Sequence, residues 1–327
     1  MVAFELSGLH LVNVGQMLLM RLEWLVLTGV LIALSAFLSH RCQGALSPLR
    51  SSPPLATAQS FRSTSGRFDT LKNLSTILRT AAQLGWLAVW YPDTYDFNRT
   101  LPNLDHLFAA ADSTLFGCQP AIAFSQSLPQ TLWSEAFNLG YWSYFPMMAV
   151  LVLTLFIKCW GTQSDLPVRV AATLITCFFL YYIIYIFLPV AGPQYYFQAV
   201  GLDAIQSGHF PALGTYFSSH TEMLPAPGNP DGFFYNLVSA SQATGERPTA
   251  AFPSSHVGVS TIVLLLAWRH VPRLTWFLLP FWLLLCCATI YIQAHYLVDV
   301  IAGFLSVPLI LFLAYYIVNI ISLTPKR

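Results

Sequence analysis

Charge is what this 327-residue chain has least of: 9% of its residues are Asp, Glu, Lys or Arg, where a soluble domain carries about a quarter. A net charge of +1 leaves no polybasic tail or face for a nucleic-acid partner. Six cysteines fall at 42, 118, 159, 177, 286 and 287 without metal-type spacing, so neither a zinc site nor a disulfide framework is implied, and Cys286-Cys287 reads as a soft apolar pair. No repeat period or low-complexity tract is present. What fills the chain instead is apolar: 56% hydrophobic and 15% aromatic. It reads as an all-α polytopic membrane protein.

With roughly 17 to 25 residues to a spanning helix, the candidates are 74–91, 136–157, 168–189, 256–270, 274–293 and 300–322, a six-helix core, with one weaker helix at 22–39 in front. That first run lacks a small-x-small cleavage pattern and reads as an uncleaved helix. Residues 1–73 are thus an N-terminal helix and a basic linker, the part from 41 to 73 being Ser-, Pro- and Arg-rich and solvated; 74–327 is the membrane domain. Eleven basic residues (Arg41, Arg50, Arg62, Arg67, Lys72, Lys158, Arg169, Arg269, Arg273, Lys326, Arg327) fall in alternate connections, whereas 92–135, 190–255 and 294–299 hold Arg99 and Arg247 alone. Positive residues stay on the cytoplasmic side, so those three connections face outward, toward the periplasm if the membrane is a bacterial inner membrane. Segments 92–135 and 190–255 are expected to form an outer cap.

Two stretches carry chemistry. "RPTAAFPSSHVGVSTIVLLLAWRH" (247–270) sets His256 at the mouth of one apolar run, and "AHYLVDVIAG" (294–303) sets His295 and Asp299 at the mouth of another. Pro253-Ser254-Ser255 suits a helix start, whose free N–H groups and dipole welcome an anion. His295 and Asp299, four apart, share a helix face, where the carboxylate can hold an imidazole N–H. A helix down, the turn "HVPR" and a helix back return both histidines to one face. Such a set suits covalent phosphoryl transfer, one imidazole attacking phosphorus and the other protonating the leaving oxygen.

"PSSH" (253–256) with "HYLVD" (295–299) resembles the second and third signature motifs of the type 2 phosphatidic acid phosphatase and haloperoxidase superfamily. "LPVAGPQYYF" (188–197) lies where the first motif belongs, and "DSTLFGCQP" (112–120) with "FPSSH" and "AHYLVD" looks like the branch containing inositol phosphorylceramide synthase. The resemblance implies a six-helix core, His295 as nucleophile, Asp299 as its orienting carboxylate, His256 as leaving-group acid, and no cofactor. Two departures stand out. The first motif lacks its usual lysine and arginine, with no basic residue between Arg169 and Arg247, and Thr289 stands where the third motif carries an arginine. Phosphate contacts are then sought from Arg247, the Ser254 and Ser255 N–H groups, Gln194, Tyr195 and Arg99. A phosphodiester carries one negative charge against about −1.5 to −2 for a monoester, so the shortage of cations favours transfer of a phospho-headgroup to a lipid alcohol such as ceramide. A lipid phosphomonoesterase is the alternative.

A different class uses the same atoms: two histidines and a carboxylate can bind a metal, although the Pro-Ser-Ser helix start has no part in that. No Gly-x-Ser-x-Gly elbow supports a serine hydrolase. Asp93, Asp96, Asp105 and Asp112 read as a solvated acidic surface, and "FFLYYIIYIF" (178–187) as lipid-facing or core packing. Tyr195 and Tyr196, beside Gly192-Pro193, are candidate substrate contacts.

Overall fold

In a computed structural model that describes residue 30, residues 58–162 and residues 164–323, the chain is helix and loop, with no strand among the described residues. The expected helix at 22–39 lies outside the described residues except for Val30. The helices are α1 Ala58–Asn98, α2 Asp105–Phe116, α3 Pro120–Ser127, α4 Thr131–Trp142, α5 Tyr144–Lys158, α6 Leu166–Phe187, α7 Pro193–Val200, α8 Leu202–Gln206, α9 Phe233–Gly245, α10 Ser255–His270, α11 Pro272–Tyr291 and α12 Leu297–Leu323. α1 starts at Ala58, inside a stretch expected to be irregular, because past Pro53-Pro54 no proline opposes helix before Pro92.

Three helices, α6, α11 and α12, are each long and apolar enough to cross a membrane, and the bent pair α4–α5 would make a fourth. The expected single span at 136–157 is therefore broken, with a 48° bend. Pro146 accounts for it: the ring lacks an N–H and crowds the carbonyl of the residue four before, Trp142, which is where α4 stops. α10, at 16 residues, is about 24 Å long, short of a hydrocarbon core of about 30 Å. Its position explains the shortfall. α10 is packed by α5, α6, α11 and α12 and buries apolar residues around most of its circumference, from Val257, Val259 and Ile262 to Val263 and Leu266, leaving one strip through Leu265 and Trp268 exposed.

Close helix approach depends on small residues. A side chain at Gly303 of α12 would meet the Ser254 carbonyl oxygen at 2.6 Å, and one at Gly140 of α4 would meet the Leu284 backbone of α11 at 2.5 Å. Above the bundle, α2, α3, α7 and α8 form a lid with its own apolar core, including Ala109, Ala121, Tyr196, Phe197, Ile205 and Tyr296. These four helices lie within residues 105–127 and 193–206.

Carboxylates knit this cap together. Glu135 accepts the Phe234 and Tyr235 N–H groups at the start of α9 (2.9 and 3.0 Å). Asp112 accepts those of Leu297 and Val298 at the start of α12 (2.9 and 3.0 Å). Asp105 accepts the Ala191 and Gly192 N–H groups (2.6 and 2.8 Å) and the Tyr296 hydroxyl (2.9 Å). Asp93, Asp105 and Asp112 are buried, so the expectation of a solvated acidic surface holds for Asp96 alone. A polar residue in a cap segment can satisfy helix-end N–H groups that nothing else reaches, and one sequence holds no sign of which carboxylates do so.

Candidate active site

The three motif segments are tied by their backbones. The Ala251 N–H donates to the Val190 carbonyl (2.9 Å), Gln194 to Gln293 (2.9 Å) and Ser254 to Asp299 (3.0 Å). Gly192, at φ 97°, is pressed so close to the third motif that a Cβ would meet the Ala294 carbonyl oxygen at 2.6 Å, so only glycine fits. The turn between α11 and α12 passes through Gln293 at φ 62° and presents His295, whose own N–H donates to the Thr289 carbonyl (3.0 Å). Thr289, standing where an arginine was sought, serves His295 through its backbone, while its hydroxyl bonds back to Cys286.

His256 and His295 do meet. His295 Nε2 lies 3.3 Å from His256 Nδ1. On the other edge of the ring, His295 Nδ1 donates to the Ala251 carbonyl (2.8 Å), which fixes the tautomer and leaves the Nε2 lone pair facing His256. Asp299 was expected in that role. Its Oδ2 sits 3.7 Å from Nδ1 and accepts the Tyr296 N–H instead (2.9 Å), while its Oδ1 is buried without a partner. Asp299 therefore lies beside the Nδ1 edge of His295 without a hydrogen bond to it. Burial pushes the His295 imidazole down to about 4, so it is neutral and nucleophilic at pH 7.

His256 is clamped between rings, stacked on Tyr141 at 4.6 Å between centroids and tilted against Tyr144 at 4.5 Å. The Tyr185 hydroxyl accepts the Ser255 N–H (3.1 Å) and donates to the Pro253 carbonyl (3.1 Å). Tyr185 belongs to the run read as packing; it is buried, and it also braces the second motif. Neither Tyr141, Tyr144 nor the Ala251 carbonyl could be found from spacing, because each reaches its histidine from another helix or through the backbone.

The residues sought as phosphate contacts are not all free for it. Ser254 N–H is bound to Asp299 and Ser255 N–H to Tyr185. Gln194 is buried and bridges the Leu224 carbonyl (3.1 Å) and Gln242 (3.1 Å). Tyr195 packs against Phe217 in a buried cluster, and Tyr196 donates to the Pro211 carbonyl (2.9 Å). Arg247, half-buried, donates to its neighbour Glu246's carbonyl (2.7 Å) and stands on the segment that carries Ala251 to His295. Arg99 pairs loosely with Asp96 at 4.0 Å.

A cavity of about 420 Å³ opens on His256. Tyr91, Tyr141, Tyr144 and Tyr182 line it, with Glu246 as its carboxyl group. Burial pushes Glu246 up to about 7, the Tyr91 hydrogen bond holding it from rising further; burial likewise brings Asp105 and Asp112 to about 6. The one carboxyl that lines the cavity, Glu246, is thus partly neutral near pH 7.

The geometry separates the three groups considered for a metal. Asp299 lies at the Nδ1 edge of His295 and His256 at its Nε2 edge, so the three do not converge on one point. Among the described residues no three His, Cys, Asp or Glu side chains form a metal-holding group.

A family model of the PAP2 superfamily matches residues 105–314, more than half the chain, from the carboxylate beneath the first motif to the middle of α12. No curated protein and no solved structure matches.

Proposed function

We propose, from the premise that the chain belongs to the PAP2 superfamily, that it is a membrane enzyme turning over lipid phosphate esters through a phosphohistidine on His295. One observation carries the reading: the two imidazoles face each other at 3.3 Å, with the Nδ1 of His295 already committed to a carbonyl. The ester must first part the two rings, which touch at 3.3 Å, and phosphorus then takes the place between them. The Nε2 lone pair of His295 forms the N–P bond as the P–O bond to the lipid alcohol breaks, and His256, which takes up a proton from solvent when the anionic ester binds beside it, gives that proton to the departing oxygen. Asp299, 3.7 Å from Nδ1, stabilises the positive charge that the phosphorylated ring acquires. A second hydroxyl then gives its proton to His256, attacks phosphorus and releases His295.

The second hydroxyl belongs to a lipid alcohol such as ceramide in this reading, and the donor is a phosphodiester. Support comes from the scarcity of donors around the histidines: with Gln194 and both serine N–H groups engaged, Arg247 is the cation that can serve a single negative charge. A phosphatidic-acid-type monoesterase, in which water takes the alcohol's place, is the second reading. The active face looks away from the cytoplasm, toward the periplasm of a bacterial inner membrane, with six helices crossing it.

A paired assay in lipid micelles containing EDTA separates the two. Labelled phosphatidic acid is offered alone, then labelled phosphatidylinositol or phosphatidylglycerol with ceramide, following free phosphate and new phospholipid. Headgroup transfer to ceramide, absent in His295→Ala and His256→Ala proteins that still fold, is the expected result. Free phosphate from phosphatidic acid alone would favour the monoesterase, and full turnover in either histidine variant would overturn the mechanism.

A further inference from the structure

The in-line step sets the leaving oxygen on the His256 side of phosphorus, and the cavity that His256 lines is therefore where the lipid alcohol lies. A second cavity adjoins it. Phe145, half exposed at 50%, lines both, the second being about 250 Å³ and lying between α1 and α5. The second cavity has a buried floor of Leu87 and Met148 and an exposed rim at Gly85 and Ala149, with Leu84 at its far end. Its lining is wholly apolar in residue type. α1 packs along α6 and touches α5 only lightly, which leaves the seam open on its outer side.

We propose that the cavity at His256 and the α1–α5 groove form one continuous site for the hydrocarbon chain of the alcohol that His256 protonates in the first step and deprotonates in the second. From Tyr91 to Leu84 is seven residues along α1, so the groove carries the chain about 10 Å away from the chemistry. Three features point to a lipid tail as the occupant. The polar end of the path is at the catalytic histidine, the rest is apolar, and the open side faces where hydrocarbon would surround a membrane-embedded bundle. The inference rests on the phosphohistidine reading above, since that reading sets which side of phosphorus the alcohol occupies.

Gly85 supplies the test. A Cβ at this position meets nothing within 4 Å, so Gly85→Leu has room to add its first carbon at the rim of the groove, and it replaces a poor helix former by a good one. The full-length protein in micelles is given dihexanoyl or dipalmitoyl phosphatidylglycerol, and release of labelled diacylglycerol is measured, a product common to hydrolysis and transfer. In Gly85→Leu the ratio of kcat/KM for the long chain to that for the short one should fall about tenfold, the scale on which an apolar pocket discriminates chain size, with the change in KM. Leu309→Phe, on the exposed side of α12, should leave the ratio where it is in the parent. An unaltered ratio in Gly85→Leu with diacylglycerol still released would overturn the groove and spare the chemistry. A second measurement does not need turnover. A hexadecanol bearing a chain diazirine should label peptides holding Leu84–Leu87 or Phe145–Ala149 in the parent and much less in Gly85→Leu; labelling of neither segment would sink the proposal. No diacylglycerol from any lipid, with those segments labelled, would instead remove the phosphohistidine reading.

Discussion

Asp112 lies in a different helix from either histidine, yet its two oxygens hold the first turn of α12, two and three residues after His295. Removing it has two opposing consequences. A hydrogen bond to a charged group contributes about 1.5–3 kcal/mol, so Asp112→Ala, which loses both and leaves two N–H groups unsatisfied while shedding the burial cost of the charge, should destabilise the protein by about 3 kcal/mol net. At roughly 2–4 °C per kcal/mol for a chain approaching this size, the midpoint in micelles should drop by about 6–12 °C. Asp112→Asn behaves differently. Burial holds the carboxyl at about 6 against an ordinary 3.8, which means the ionised form costs about 3 kcal/mol at neutral pH. The amide escapes that cost, loses one charge-assisted bond and sets an NH₂ against an N–H, so the changes in stability nearly cancel. Turnover should not recover with stability, because the start of α12 is left with one tether and a displacement of about 1 Å at a reacting group can cost 10²-fold. The sign of the pH effect follows: because the folded-state pKa is raised, the protonated acid is the stabilised form. Stability contributed by Asp112 is complete below about pH 4 and is lost as pH rises through about 6, so the parent's midpoint, measured against that of Asp112→Asn, should fall over this window. Thermal unfolding and headgroup-transfer rate measured on the same preparations test the reasoning. Parent-like turnover in Asp112→Asn, or a parent-like midpoint in Asp112→Ala, would refute it.

Two further expectations concern His295. Asp299→Asn should slow turnover by about 10²-fold, through weaker stabilisation of the phosphorylated ring, rather than the ~10⁴-fold seen when a carboxylate alone sets the tautomer, since the Ala251 carbonyl holds that tautomer; an unchanged rate would remove Asp299 from the mechanism. Because burial lowers His295 to about 4 from its usual 6.5, the nucleophile stays unprotonated well below neutrality. The acid limb of kcat/KM due to it should fall near pH 4, and an acid limb near 6.5 shown to be this residue by the ¹⁵N shift of its ring would contradict the burial seen here.

Much of the site was legible because catalysis at a helix mouth leaves a local signature. Pro253-Ser254-Ser255-His256 marks a helix start by its own chemistry, and His295 with Asp299 marks another; the short "HVPR" turn requires the two helices to return to one side. The bent α4–α5 pair was written in Pro146 but hidden by the continuous apolar run around it. The partners of the histidines were not legible. Ala251 reaches His295 through a carbonyl, which every residue has, and Tyr141, Tyr144 and Tyr185 lie in runs where an aromatic residue is equally at home against lipid. Asp105 and Asp112 looked like surface charge because nothing local distinguishes a carboxylate that holds distant N–H groups from one in water.

By itself, then, the sequence determined a membrane-class, all-helical chain, with His256 and His295 at neighbouring helix mouths, since composition, hydrophobic run length and helix-start chemistry are properties of short stretches. Tertiary structure decided which atom fixes the His295 tautomer, which expected phosphate donors are already bonded, which acidic residues are buried, and where the cavity at His256 leads. Those are questions of distance between segments up to 191 residues apart, as in the Tyr296 hydroxyl bound to Asp105, and only packing brings such segments within a hydrogen bond of each other.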